Sequence, residues 1–233
     1  MDRRLKTAAL VSLAGFASAL ASPSSAGLLD GISNPLNGLQ QHPANTASPQ
    51  DLEGSLTTIN VRFALSMQEM LLAQSFTLAA LGDKARADQL SSEANSLQGV
   101  NDINTVSRSI TVSEDASKEI NDKMNSSQTL DAQSKGTLAM AVPHYGSGML
   151  HATHLPGDYQ AWIGNAKATV NGMGNNPLNN LGSGARLARD LPDVVEVTSH
   201  LPDLLSTWSD TTNNFMKYAH GNKVDTGDLA SKI

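Results

Sequence analysis

The chain has 233 residues, no cysteine, and a formal net charge of −6 at pH 7, with 22 acidic against 16 basic side chains. Without cysteine there are no disulfides, thiolate metal centres, cysteine nucleophiles or lipid-modified cysteines, and the acidic balance disfavours nucleic acid as a partner. Aromatics make up only 4%, and beyond the N-terminal segment most of them (Tyr145, Tyr159, Trp162, Trp208, Phe215, Tyr218) fall in the second half, which should therefore carry the bulkiest core.

Residues 1–26 have the layout of an export signal: Arg3, Arg4 and Lys6 precede an uncharged run from Thr7 to Ala21, then small residues surround a cleavage point. The run is about fifteen residues, short of the roughly 20 that span a bilayer as a permanent helix, and Pro23 stops its extension. Cleavage is expected after Ala26 (Ser24-Ser25-Ala26), with Ala21 (Ala19-Leu20-Ala21) as the alternative. Loss of Arg3, Arg4, Lys6 and Asp2 removes three positive charges and one negative, so −6 becomes −8. The mature protein is expected in the periplasm or secreted, with no transmembrane segment after signal cleavage. Residues 27–47, rich in Gly, Asn, Pro and Gln, read as a flexible leader.

Ser48, Pro49 and Asp51 supply an N-cap, a first-turn proline and an acidic third position. Apolar residues then recur at Leu52, Leu56, Ile59, Phe63, Met67, Met70 and Leu78 up to Gly82, the pattern of one long helix. From Phe63 to Leu81 only Glu69 is charged, which predicts a central position. A second helix is expected over Asp83–Gln98 and a third from Asn101 to about Asn125, with Ile103, Val106, Ile110, Ile120 and Met124 inward. A fourth starts after Thr129, and Pro143, Gly146 and Gly148 are expected to break or bend it. A short helix follows Pro156 and ends in the turn-prone run Gly172–Asn176. Two Leu-Pro-Asp steps, at Leu191 and Leu201, read as helix starts with proline in first position, the last helix running from Pro202 to Ala219 and a tail occupying 222–233. No segment alternates with period two. The fold class is therefore all-α: an antiparallel, bundle-like domain of five to seven helices over 48–221, with no sheet.

The matching hexapeptides Asn34–Leu39 and Asn176–Leu181 have unlike flanks and read as one turn chemistry used twice. No phosphate loop, His-Glu-x-x-His or acidic calcium loop is present. Gly146-Ser147-Gly148 and Gly182-Ser183-Gly184 lack the spacing and the strand of a nucleophile elbow and read as glycine bends. Catalytic residues are not nominated.

The window Gly136–Gly157 has no charged residue, yet it holds His144, His151 and His154 with Met140, Met149 and Tyr145. On a continuous helix the three imidazoles fall on one side within about 80°. They are the candidate metal ligands, for zinc or copper, with Asp158 placed to close the site. The competing reading is a tightly packed interior helix. Trp162, Trp208, Tyr145, Tyr159 and Phe215 could line an apolar ligand pocket, or form plain core. Arg186 and Arg189 could hold an anion or pair with Asp190 or Asp193. The function expected from this pattern is that of an exported, non-enzymatic helical protein of the bacterial envelope that binds a protein partner or an apolar ligand. The alternative is a zinc- or copper-binding periplasmic protein using the histidines.

Overall fold

The protein's architecture comes from a computed structural model that describes residues 47–126, 129–173 and 182–229. The export signal, residues 27–46 of the leader and the two hexapeptides lie outside the described residues. Six α-helices make up nearly all of what is described: α1 (Pro49–Ala80), α2 (Lys84–Ser96), α3 (Ile103–Ser126), α4 (Ala132–Ala152), α5 (Leu155–Met173) and α6 (Ser183–Gly221). Among the described residues no strand occurs and no helix is long and apolar enough to cross a membrane.

The start of α1 follows from its cap. Ser48 Oγ accepts from the Asp51 backbone N–H at 3.2 Å, and Asp51 Oδ2 accepts from the Ser48 N–H at 3.3 Å, so two orphan donors of the first turn are satisfied reciprocally. The end is equally determined. Gly82 takes φ +88°, its N–H donates to Ala79 O, and the Asp83 N–H donates to Leu78 O, a left-handed stop that glycine adopts without a Cβ penalty. Asp83 then caps α2 by accepting from the Arg86 N–H at 3.2 Å.

Side-chain bridges fix the direction of each helix. Along α1 and α4, Ser66 meets Gly148 and Glu69 meets His144. Along α1 and α5, Leu52 meets Trp162 and Asn60 meets Tyr159. The numbers run oppositely, so α4 and α5 lie in line, one after the other, antiparallel to α1. Along α1 and α3, Asn60 meets Asn101 and Gln74 meets Ser113. Along α3 and α6, Asn104 meets Asp193 and Asn121 meets Asn214. These numbers rise together, so α1, α3 and α6 are parallel. The short α2 returns between α1 and α3, with Lys123 on Asp83 and Ser109 on Glu93. Sequential rods thus alternate in direction, an all-α bundle as the patterning predicts.

The central place of α1 is borne out: Leu52, Leu56, Ile59, Phe63, Met67, Met70 and Leu78 are all buried. Its polar positions are used as bridges between helices. Gln74 Nε2 donates to Ser113 O and Ser117 Oγ, both at 2.9 Å, and Gln74 Oε1 accepts from Ser113 Oγ. Buried amides and hydroxyls satisfied in this way hold helices in one register.

Three local expectations are corrected. Pro143, Gly146 and Gly148 do not interrupt α4, which is continuous from Ala132 to Ala152. Pro143 leaves the carbonyl four residues earlier without its helical donor, and that residue, Ala139, is exposed to solvent. Gly146-Ser147-Gly148 lies within this helix. Its last member is the close approach of α4 to α1, where a Cβ on Gly148 would sit 3.2 Å from Met70 N and 3.3 Å from Ser66 O. Finally, Pro192 and Pro202 do not open helices. Both lie inside the single 39-residue α6, again with an exposed residue, Ala188, four positions before the first of them. Past Gly221, expected to begin a tail, the chain still packs: Val224 and Leu229 are buried, and His220 Nε2 lies 2.8 Å from Thr226 Oγ1.

Candidate functional site

The line of contact between α1 and the α4–α5 rod carries the polar groups singled out above. His144 lies on α4, with Nδ1 at 2.7 Å from Glu69 Oε2, and its ring stacks on Phe76 at 5.4 Å between centroids and 20° between planes. Glu69 is the only charge in the second half of α1, and the fold sets this imidazole beside it. His151 is two turns further along and half-buried. Burial pushes its pKa down, while the Glu69 carboxylate acts upward and the Arg62 guanidinium downward.

His154 is exposed in the link between α4 and α5. Asp158 sits on the first turn of α5 and is ion-paired to Arg62 of α1, with its carboxyl pushed up by burial, an effect that Arg62 and His154 oppose. His144 and His151 lie two turns apart on α4, whereas His154 falls in the turn beyond its end, so no continuous helix carries all three. The fold gives His144 to Glu69 and Asp158 to Arg62, and among the described residues no group of three or more His, Asp or Glu side chains is arranged to hold a metal ion.

The aromatic residues resolve into core. Trp162, Trp208, Tyr145, Tyr159 and Phe215 are fully buried. Trp162 Nε1 donates to Leu52 O at 2.8 Å and Trp208 Nε1 to Ser113 Oγ at 2.9 Å. The Tyr159 hydroxyl donates to Asn60 Oδ1 at 2.9 Å. Phe63 stands edge-on to Tyr159 at 6.3 Å, and Tyr145 packs on Phe215 at 4.6 Å. Each polar handle is satisfied by helix backbone or by a buried side chain, as buried Trp and Tyr require. Arg189 pairs with Asp190 and Arg186 with Glu53 across to α1, both at 3.0 Å, while Asp193 accepts from Asn104.

What sequence reasoning did not resolve is which side of α4 faces out. Gly136, Met140, Pro143 and Leu150 are exposed and Ser147 is half-buried, so the outward stripe steps by four, three, four and three residues. Met140 is 44% and Leu150 57% exposed, and among the described residues only Val195 joins them as an exposed large apolar side chain. With no charge between Gly136 and Gly157, this is a helix face offered to solvent without the charges that normally solvate one. The signal was present in the charge-free window, but it reads equally well as burial until the neighbours are known. No known protein family, no curated protein and no solved structure matches this chain.

Proposed function

We propose that the chain is an exported helical protein of the bacterial envelope that acts by binding a protein partner through the outer face of α4. The observation that supports this reading is the uncharged stripe bearing Met140 and Leu150, exposed on a chain that is otherwise acidic. Exposed apolar positions are common one at a time, whereas a charge-free run along one helix marks a surface that another molecule covers. Interface centres are depleted of charge and enriched in Met. A protein partner accounts for this better than an apolar small ligand, because the large rings that would line a ligand site are packed on one another in the core.

The experiment is chemical cross-linking in the envelope fraction, comparing the parent with Leu150→Asp. Loss of a discrete cross-linked species in the variant is the expected result; unchanged cross-linking overturns the assignment of the face. The location is tested separately by intact mass, which should show a mature N-terminus at Gly27. A folded cytoplasmic pool that retains Met1 would refute export.

A further inference from the structure

A buried hydrogen bond fixes the register of α4 on α1: Ser66 Oγ donates to Gly148 O at 2.8 Å, where a Cβ on Gly148 would touch the α1 backbone. His144 stands four residues before Gly148 and His151 three after it, while Glu69 stands three after Ser66 and Arg62 four before it. Steps of three and four keep to one face of a helix. Because the two helices are antiparallel, the steps run out together from the shared bond. Glu69 comes opposite His144, with Nδ1 at 2.7 Å from Oε2, and Arg62 comes opposite His151. One imidazole of the seam thus meets a carboxylate and the other a guanidinium.

The two histidines therefore answer acid differently. A proton on His144 completes an ion pair with Glu69. A proton on His151 adds a second cation beside Arg62, and both carboxylates of the seam are already engaged, Glu69 by His144 and Asp158 by Arg62. Burial is the largest influence on His151 and disfavours its proton; the Glu69 carboxylate favours it and the Arg62 guanidinium disfavours it. α6 meets α4 through Phe215 on Tyr145, and its charged residues near that contact, Asp210 and Lys217, are exposed and do not act on His151. In the link and on α5, His154 and Asp158 act on one another.

We infer that the corner joining α4 to α5 is an acid-responsive joint, in which a proton taken up at His151 opposes Arg62 and releases residues 149–158 from α1. This inference does not depend on what covers the outer face of α4. The sign follows from linkage. Packed against α1, His151 holds its proton less readily than an ordinary histidine, so the released state binds more protons. The closed corner is therefore fully stable above the ordinary histidine pKa of about 6.5 and loses stability as pH falls below it toward the lower folded value.

Amide hydrogen exchange read by mass spectrometry, corrected for the intrinsic pH dependence of exchange, tests this directly. In the parent, peptides covering 149–158 should open up to about tenfold more at pH 5.5 than at pH 7.5, the limit for one proton taken up a unit below its pKa, while α3 changes little. His151→Gln should remove the difference and Arg62→Gln should reduce it. His144→Gln and Asp158→Asn should leave it in place, since neither removes the opposed pair. All samples contain a chelator, so that metal on the imidazoles does not enter, and circular dichroism at both pH values confirms that each variant is folded. Equal opening of the parent corner at the two pH values overturns the inference, as does a rise shared evenly by all helices. A response that survives in His151→Gln, or that vanishes in His144→Gln, also overturns it.

Discussion

Adding one methyl group at Gly148 should destabilise the protein, whereas the same addition at Gly164 should stabilise it. Both glycines lie inside helices. Alanine is favoured over glycine in a helix interior by about 1 kcal/mol, and at Gly164 a Cβ would have nothing within 4 Å. The full gain should therefore be realised there. At Gly148 the Cβ would meet Met70 N at 3.2 Å and Ser66 O at 3.3 Å, both backbone atoms of α1. A helix backbone cannot swing aside as a side chain does, so the two rods must separate by a few tenths of an ångström.

Overpacking of this kind costs about 1–3 kcal/mol. Separation also lengthens the buried bond from Ser66 Oγ to Gly148 O, now 2.8 Å, worth about 0.5–1.5 kcal/mol. After the helix propensity gain is subtracted, Gly148→Ala should lose about 0.5–3.5 kcal/mol. The assay is urea unfolding followed by far-UV circular dichroism, with Gly164→Ala measured alongside, and thermal midpoints should differ in the same direction by about 2–4 °C for each kcal/mol. A Gly148→Ala variant as stable as the parent would show that α4 does not approach α1 so closely.

Other substitutions test other joints. Lys223 holds φ +61° just past α6, where its N–H donates to His220 O at 2.9 Å; a side chain in that conformation costs about 1–2 kcal/mol, so Lys223→Gly should raise stability by a few tenths to about 1 kcal/mol after the entropy of glycine is subtracted. Trp208→Phe removes the donor to Ser113 Oγ and should cost about 1–3 kcal/mol, measured as a lower denaturant midpoint with unchanged helix content. Asp102, just ahead of α3, accepts from the Thr105 hydroxyl at 2.7 Å and the Thr105 N–H at 2.8 Å, and the hydroxyl bond followed by the backbone bonds holds its carboxyl below the usual aspartate value despite some burial. Its folded state binds fewer protons than its unfolded state, so the stabilisation is present above the ordinary aspartate pKa and is lost as pH falls through the lower folded value. Asp102→Ala should accordingly cost about 1 kcal/mol at neutral pH, and unfolding curves of parent and variant should converge in strong acid; a difference that persists there refutes the charge contribution.

Local chemistry made the first half of the fold legible in the sequence. Ser48, Pro49 and Asp51 announce a helix start because a side-chain oxygen, a missing N–H and a carboxylate answer needs that arise within one turn, and Gly82 announces the stop because only a residue without Cβ enters the left-handed region freely. The apolar repeat from Leu52 to Leu78 names the buried face for the same reason: helical period is intrinsic to the chain. The prolines misled because proline is judged locally as a break, yet Pro143, Pro192 and Pro202 sit inside continuous helices. Packing along the rest of the rod outweighs one missing hydrogen bond when the freed carbonyl can reach water.

The site depended still more on tertiary structure. Periodicity alone places His144, His151 and His154 on one side of a helix, but whether imidazoles converge is decided by what the neighbouring rod sets opposite them. That rod supplies Glu69 to His144 and Arg62 to Asp158. The charge-free window was visible as composition, and its two readings, buried helix or exposed face, differ in no property of the sequence. Only the placement of α1 and α6 against α4 leaves Met140 and Leu150 in solvent, because exposure belongs to the gaps between elements and not to any element alone.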